Sequence, residues 1–329
     1  MRTRPLGSTG LVVSEIGFGA WGIGGRTAGA TSYGATDDTV SRRALAVALD
    51  RGITFFDTAP AYGDGHSERL IGEAVRGRRD RVVIATKGGL PGFGAPPDFS
   101  PAALRASLEG SLRRLGTDHV DLLQLHNPSL RDLRVRPEIL EALEGFRRAG
   151  LVRAIGLSLK SPLDGPVAIR DFGIGQLQLN LNMLDLRALD CGLLGLAAAA
   201  GTGIVARTPL AFGFLTARMV PGTTFPPDDH RSLWPRGQID RWIAAADTLF
   251  ARIPATAAGT LPRGAAAIAF CLSLPGVSTV IPGLLTEAEV TAAVEAVAVA
   301  PLPADTMADL TMTYRTLDLS VVRPPHAKV

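Results

Sequence analysis

Cysteine is nearly missing. Cys191 and Cys271 are the only two in 329 residues, and neither has a histidine or a second cysteine close by. Zinc-ligand spacing and a disulfide framework are thereby excluded, and a reducing compartment fits. Lysine is almost as scarce: of 34 basic residues only Lys87, Lys160 and Lys328 are lysines. A long apolar run is lacking too. The most apolar stretch, LLGLAAAAGTGIVA (193–206), is broken by glycines and falls short of the ~20 residues a membrane span needs. It reads as a buried helix followed by a buried strand. MRTRPLG at the start holds no apolar segment of the signal-peptide kind, so a cytoplasmic chain with no membrane partner is expected. The net charge is +3, yet the arginines are scattered and no basic run is interleaved with aromatics. A nucleic-acid partner is therefore not expected, nor is a metal.

At 46% hydrophobic and 20% charged, the chain can bury a large core. Short, near-continuously apolar runs alternate with amphipathic segments. The runs are IGFGAW, ITFFD (53–57), VVIAT (82–86), VDLLQLH (120–126), LVRAIGLS (151–158), IGQLQLN (174–180), GIVART (203–208) and GVSTVIPG (276–283). Strands buried on both faces read this way, and the helical stretches between them predict a parallel sheet with crossovers. The clearest helix is SPAALRASLEGSLRRLG. It has Ser100 as cap, Pro101 in the first turn, Leu104, Leu108, Leu112 and Leu115 on one face, and Gly116 as stop. A further helix is expected from Pro137 to Gly150. Eight strand–helix units favour a closed (β/α)₈ TIM barrel in an α/β fold over an open sheet. A dinucleotide fold of the doubly wound type would need G-x-G-x-x-G opening a helix after the first strand. GFGAWGIGG (17–25) is glycine-rich, but no helix pattern begins in it.

The expected layout is one domain over 1–329. RPLGSTGLVVS forms a β-hairpin cap (about 1–15) at the barrel's bottom, and a C-terminal helix and tail occupy about 300–329. The irregular stretches 88–99 and 209–236 are expected to be long loops at the C-terminal face, where barrels of this kind place their chemistry. The strand ends read Trp21, Asp57, Lys87, His126, Ser158, Gln178, Arg207 and Pro282–Gly283, with Tyr62 on the loop after Asp57. A lone strand-end aspartate is commonly a turn residue, and His66, His119, His230 and His326 are read as structural. Lys87 is harder to explain that way, because a buried ammonium is costly unless a carboxylate pairs with it. Asp57, one strand away, can be that partner.

FFDTAPAYGDGHSERLIGEAV, VVIATKGG, DHVDLLQLHNP, AIGLS and VIPG together resemble the aldo-keto reductase superfamily. The resemblance runs in order and at the right intervals from the hairpin to about residue 300. It implies a barrel with a nicotinamide cofactor across its mouth and a tetrad of Asp57, Tyr62, Lys87 and His126, in which all four positions match. Carbonyl reduction needs a hydride from the cofactor and a proton for the developing alkoxide. A free tyrosine is a poor acid at neutral pH. An ammonium beside it, held by a carboxylate, would favour the phenolate, which explains a lysine in an arginine-rich chain. His126 would donate to the carbonyl oxygen.

The resemblance also assigns cofactor contacts. Ser158 and Gln178 would hold the nicotinamide carboxamide, and Arg207 would take the ring-stacking position. Pro209, Leu210, Gly213 and Leu215 would offer backbone to the pyrophosphate. Gly22, Ile281, Gly283, Leu284, Thr286 and Glu289 would line the remainder. Leu159 stands where the family usually has asparagine. At the adenosine end Glu289 replaces arginine or glutamine, Ala293 replaces asparagine, and no Lys or Arg occurs between Arg263 and Arg315. The local charge favours NADH, while the family and an amide-rich helix start favour NADPH; NADP(H) is preferred, with NAD(H) left open. Trp21, Phe93, Phe212, Phe225 and Trp234 are candidate walls for a small carbonyl or alcohol substrate, such as an aldehyde, a ketone or a keto sugar. Two other readings stand beside the oxidoreductase: a non-catalytic nicotinamide-binding sensor or regulatory subunit, and a Schiff-base aldolase using Lys87. Asp57 opposes the aldolase by stabilising the ammonium.

Overall fold

The computed structural model describes residues 1–27, 29–254 and 261–319. The chain opens with a two-stranded antiparallel hairpin, β1 (Thr3–Pro5) and β2 (Val12–Ser14). Eight parallel strands follow: β3 (Gly17–Gly19), β4 (Phe55–Asp57), β5 (Val83–Gly88), β6 (Val120–His126), β7 (Val152–Ser158), β8 (Gln176–Asn180), β9 (Gly203–Arg207) and β10 (Val277–Ile281). They pair in sequence order from β3 to β10. Backbone bonds from Gly19 N to Pro282 O (3.0 Å) and from Val280 N to Glu15 O (2.9 Å) join the last strand to the first. The result is the expected (β/α)₈ barrel. Each strand is shorter than its apolar run by one to three residues at one end or both, except β5, which extends to Gly88, and β6, which matches its run.

Twelve helices surround the strands among the described residues: α1 (Asp38–Asp50), α2 (His66–Ala74), α3 (Pro101–Leu115), α4 (Leu130–Val135), α5 (Glu138–Arg148), α6 (Gly165–Phe172), α7 (Arg187–Asp190), α8 (Leu193–Ala200), α9 (Arg236–Phe250), α10 (Arg263–Leu272), α11 (Glu287–Val299) and α12 (Ala304–Thr316). α3 starts and stops where its capping residues demand. Ser100 accepts from Ala103 N, Pro101 sits in the first turn, and Gly116 ends it with φ 65°. Leu104, Leu108 and Leu115 are buried, and Leu112 is partly exposed. The expected C-terminal helix is α12; the tail from residue 320, with His326 and Lys328, lies outside the described residues. GFGAWGIGG contains a single 3₁₀ turn at Gly22–Gly24.

Alternation along the strands sends every second side chain into the barrel. The lowest interior layer is apolar: Phe55, Val83, Leu122, Ala154 and Val205 pack with Leu6, Leu11 and Val13 of the hairpin. The hairpin therefore fills the barrel's bottom as well as covering it. Gly7, at φ 55°, makes this possible: a Cβ there would lie 2.2 Å from Gly203 N, so the approach tolerates no side chain. Above the apolar layer the interior turns polar, and that is where the site begins. Among the described residues, no single helix is long and apolar enough to cross a membrane.

Candidate active site

Six strands and one loop build the centre. Lys87 is the last but one residue of β5, and its side chain is fully buried beside Asp57, which ends β4. The ammonium donates to Asp57 Oδ1 at 2.6 Å, to the Thr58 carbonyl at 2.9 Å and to Tyr62 Oη at 3.2 Å. All three of its protons are thereby used. Burial opposes the charge, but the Asp57 carboxylate, with Tyr62, outweighs it and raises the Lys87 pKa above the ordinary lysine value. Tyr62 reaches this spot because the turn after Asp57 folds back, with Tyr62 N bonded to Ala59 O.

His126 ends β6 and is 3% exposed. Burial, then the charges of Lys87 and Arg207, push its pKa well below the ordinary histidine value. It is a neutral imidazole at physiological pH, with one N–H to donate. Its ring meets the Tyr62 ring edge-on at 6.2 Å. The next residue, Asn127, has φ 55°, and with Asp64, Thr208, Ala211 and Phe212 it makes five non-glycine positions at positive φ on the mouth loops among the described residues. Such backbone clusters where surrounding structure over-determines it, commonly at functional sites.

Ser158 and Gln178 face each other across paired strands β7 and β8. Ser158 Oγ donates to Gln178 Oε1 at 3.0 Å, and Gln178 Nε2 donates to Asp57 Oδ2 at 2.6 Å. Both residues expected to face a carboxamide are thus wired to the aspartate as well. Arg207 donates to the Leu159 carbonyl at 2.8 Å and forms no ion pair among the described residues; burial lowers its pKa.

Above the centre lies a cavity of about 710 Å³. Its lining falls into three groups. Trp21, Tyr33, Phe93 and Phe212 form an aromatic wall, and Asp57, Tyr62, His126, Gln178 and Arg207 form the polar floor. The third group holds Gly22, Pro209, Leu210, Gly213, Arg218, Ile281, Gly283, Leu284 and Glu289, with Ala292 and Ala293 beside them. Most of the expected site residues therefore meet in one trough.

Several do not. Trp234 does not line the cavity; its ring stacks on Phe214 at 5.7 Å and meets Trp242 edge-on at 5.1 Å, because the 209–236 loop folds its aromatics inward. Phe225 lies beneath the Arg231 guanidinium, 4.4 Å away. Leu215 is fully buried. The amides of Leu215 and Gly213 both donate to Leu210 O, at 3.1 and 2.9 Å, so neither is free for a phosphate in this structure. Thr286 and Glu289 form a capping box at the start of α11. Glu289 Oε2 accepts from Leu285 N and Thr286 N, and its Oε1 takes Arg218 at 2.7 Å. The apparent lack of a cation at this end is corrected by the fold: Arg218 arrives from the loop after β9, 71 positions away in sequence.

Sequence reasoning also missed Tyr33, Asn127, Arg218 and Gln124. Tyr33 carried a usable signal, being one of only three tyrosines. Its ring packs at 4.9 Å from both Trp21 and His230, and burial pushes its phenol pKa up. His230, read as structural, sits among the rings of Trp21, Tyr33, Phe212 and Trp234. Burial first, with Arg231 adding to it and Asp229 opposing, lowers its pKa to about 4. The unfolded chain then binds more protons between pH 6.5 and 4, so stability is full above that window and declines as pH falls through it. The loss is at most about 3 kcal/mol. A His230→Phe variant should show a smaller fall in urea midpoint between pH 7 and pH 5; an identical fall in both proteins would contradict this.

Residues 15–315 match the family model described as the Aldo/keto reductase family. The chain belongs to that family. Aldo-keto reductase YhdN of Bacillus subtilis is 35% identical over 74% of this chain and 72% of its own length. A probable voltage-gated potassium channel subunit beta of Oryza sativa is 30% identical over 92% and 93%. The structure of a glycerol dehydrogenase from Gluconobacter oxydans superposes with a TM-score of 0.80 at 28% identity, covering 99% of each chain. Aldo-keto reductases are generally oxidoreductases that use nicotinamide cofactors and act on small-molecule carbonyls. Among the described residues, no group of three or more His, Cys, Asp and Glu side chains is placed to hold a metal ion.

Proposed function

We propose that this aldo-keto reductase reduces an aldehyde or ketone to the alcohol with NAD(P)H, Tyr62 delivering the proton. The observation that supports it most is the Lys87 ammonium, buried between the Asp57 carboxylate and the Tyr62 hydroxyl on a cavity floor. Asp57 holds Lys87 charged, and Lys87 stabilises the Tyr62 oxyanion left when the proton departs. His126, neutral and facing the same space, donates to the carbonyl oxygen and fixes its direction. Tyr33 has no ammonium beside it and its phenol is pushed the wrong way, which leaves Tyr62 as the acid. The donor set fits a nicotinamide dinucleotide: a long trough, side-chain-free walls at Gly22 and Gly283, a hydroxyl–amide pair at Ser158–Gln178 and a cation at Arg218. Once bound, that cofactor supplies the hydride. Ser158, Gln178 and Arg207 would hold its nicotinamide end, and Pro209, Leu210, Ile281 and Leu284 would flank the rest.

NADPH is the proposed partner over NADH, because Arg218 brings to the Glu289 end the positive charge a phosphate needs. Arg218→Ala should weaken NADPH binding about 10-fold, as expected for one charge-assisted bond, while changing NADH binding little. Titrating both cofactors by fluorescence quenching measures this, and equal losses would remove the preference. A polyhydroxylated carbonyl such as a keto sugar is the proposed substrate class, supported by the aromatic wall with few fixed charges and by the likeness to a glycerol dehydrogenase. Loss of reduced-nicotinamide absorbance with a panel of sugar and simple aldehydes tests the activity. A second reading, a nicotinamide-binding regulatory subunit, is favoured by the likeness to a potassium channel subunit beta. Cofactor binding with no turnover across the panel would support it.

A further inference from the structure

Between the apolar floor of the barrel and the reactive groups lies a layer that neither the family chemistry nor the cavity explains. Gln124 on β6, Gly156 on β7 and Gln176 on β8 point into the barrel at this level, Gln124 and Gly156 being direct cross-strand partners. Both glutamines are fully buried. Gln124 Nε2 donates to Asp57 Oδ2 at 3.0 Å, joining Gln178 Nε2 on the same oxygen. Gln124 Oε1 and both polar atoms of Gln176 have no partner among the described residues. Gly156 is what makes room for them: a Cβ there would stand 1.9 Å from Gln176 Oε1.

We propose that Gln124 is a positioning residue for the reaction, fixing Asp57 Oδ2 so that Oδ1 faces Lys87, with Gln124 and Gln176 holding one buried water beneath the carboxylate. The chemistry of the groups imposes the arrangement. An ionised carboxylate only accepts, so the amide of Gln124 must turn its N–H₂ upward and its oxygen down. That oxygen, at zero exposure, then needs a donor, and Gln176 presents one donor and one acceptor within the same layer. Three unpartnered polar atoms in one buried layer supply the two to four partners that an internal water needs. The carboxylate thereby receives three hydrogen bonds, one from the ammonium and two from neutral amides, and each favours its charged form. Charged and titratable groups around Asp57 are Lys87 from β5, with Tyr62 from the turn after β4 on the same ammonium, and Arg207 from β9; His126 from β6 senses Lys87 and Arg207. None of these touches the lower side of Oδ2, which belongs to Gln124.

The proposal rests on the reading of Lys87 and Tyr62 as the proton-donating pair, and two measurements separate the two. Carbonyl-dependent NADPH consumption by the wild-type protein tests that reading alone. Gln124→Met, which keeps the length and removes the donor, tests the positioning role. kcat at the optimum should fall about 10-fold, as expected for losing one hydrogen bond to a charged group, while the carbonyl KM and the NADPH Kd change less than twofold. A filler role alone would lower the urea midpoint and leave kcat in place, which would overturn the proposal. Should Gln124→Met fail to fold, a high-resolution crystal structure of the wild-type protein decides. A water bonded to Gln124 Oε1 and Gln176 supports the layer as described. A direct bond between the two amides, or a Gln124 turned away from Asp57, overturns it.

Discussion

Replacing Tyr62 by phenylalanine should lower kcat by about 10²–10⁴-fold, the usual range for a positioned proton donor, while NADPH binds within twofold of the wild-type affinity. The fold gives the substitution a clean meaning. The Tyr62 ring is 8% exposed and stacks on Phe93 at 6.2 Å, contacts that a phenylalanine ring retains. Lys87 loses one acceptor but keeps Asp57 Oδ1 at 2.6 Å and the Thr58 carbonyl at 2.9 Å, so the ammonium is not stranded. What disappears is the one hydroxyl that both touches the ammonium and faces the cavity. Stopped-flow measurement of the first turnover isolates the chemical step from cofactor release. Unchanged turnover would show that another group protonates the alkoxide, and the assignment of Tyr62 would be wrong.

The polar floor was legible in the sequence because parallel strands buried on both faces make their polar ends conspicuous. FFD, ATK and QLH each break an apolar run at its carboxyl end, and a parallel barrel brings such ends to one face. The lysine count sharpened this, since Lys87 is the one lysine embedded in an apolar strand. The loop after β9 was not legible in the same way. Its course depends on Ala211 and Phe212 at φ 45° and 58°, conformations imposed by the fold and signalled by neither residue type. That course turns the Gly213 and Leu215 amides onto Leu210 O, seals Leu215 into the core and carries Trp234 onto Phe214. It also delivers Arg218 to Glu289, and so offsets the negative charge deduced from the helix sequence alone. Gln124 escaped for the opposite reason. It sits inside the apolar run VDLLQLH, where a single polar residue draws no attention, and its meaning emerges only when Asp57 is found 3.0 Å away.

Lys87→Met should cost about 3–5 kcal/mol of stability, the range for removing one member of a buried ion pair, and should abolish turnover. Most of that cost is the carboxylate left behind. Asp57 is 2% exposed, and without the ammonium only the two glutamine amides would hold its charge. A buried carboxylate without a counter-charge is costly, and protonation relieves that cost. The stability deficit of the single variant should accordingly be largest at neutral pH and shrink as pH falls toward 4. Adding Asp57→Asn removes the stranded charge and should recover most of the urea midpoint at pH 7, leaving the double variant stable but inactive. Lys87→Arg should not restore activity, because a planar guanidinium cannot occupy a fully buried point between Asp57 Oδ1, Thr58 O and Tyr62 Oη. Urea titrations at pH 5 and pH 7 on the single and double variants separate the two roles of the pair. If the double variant is no more stable than Lys87→Met alone, the stranded carboxylate is not the cause. The lysine stem's packing would then account for the loss. If either variant retains turnover, the ammonium is not what supports Tyr62.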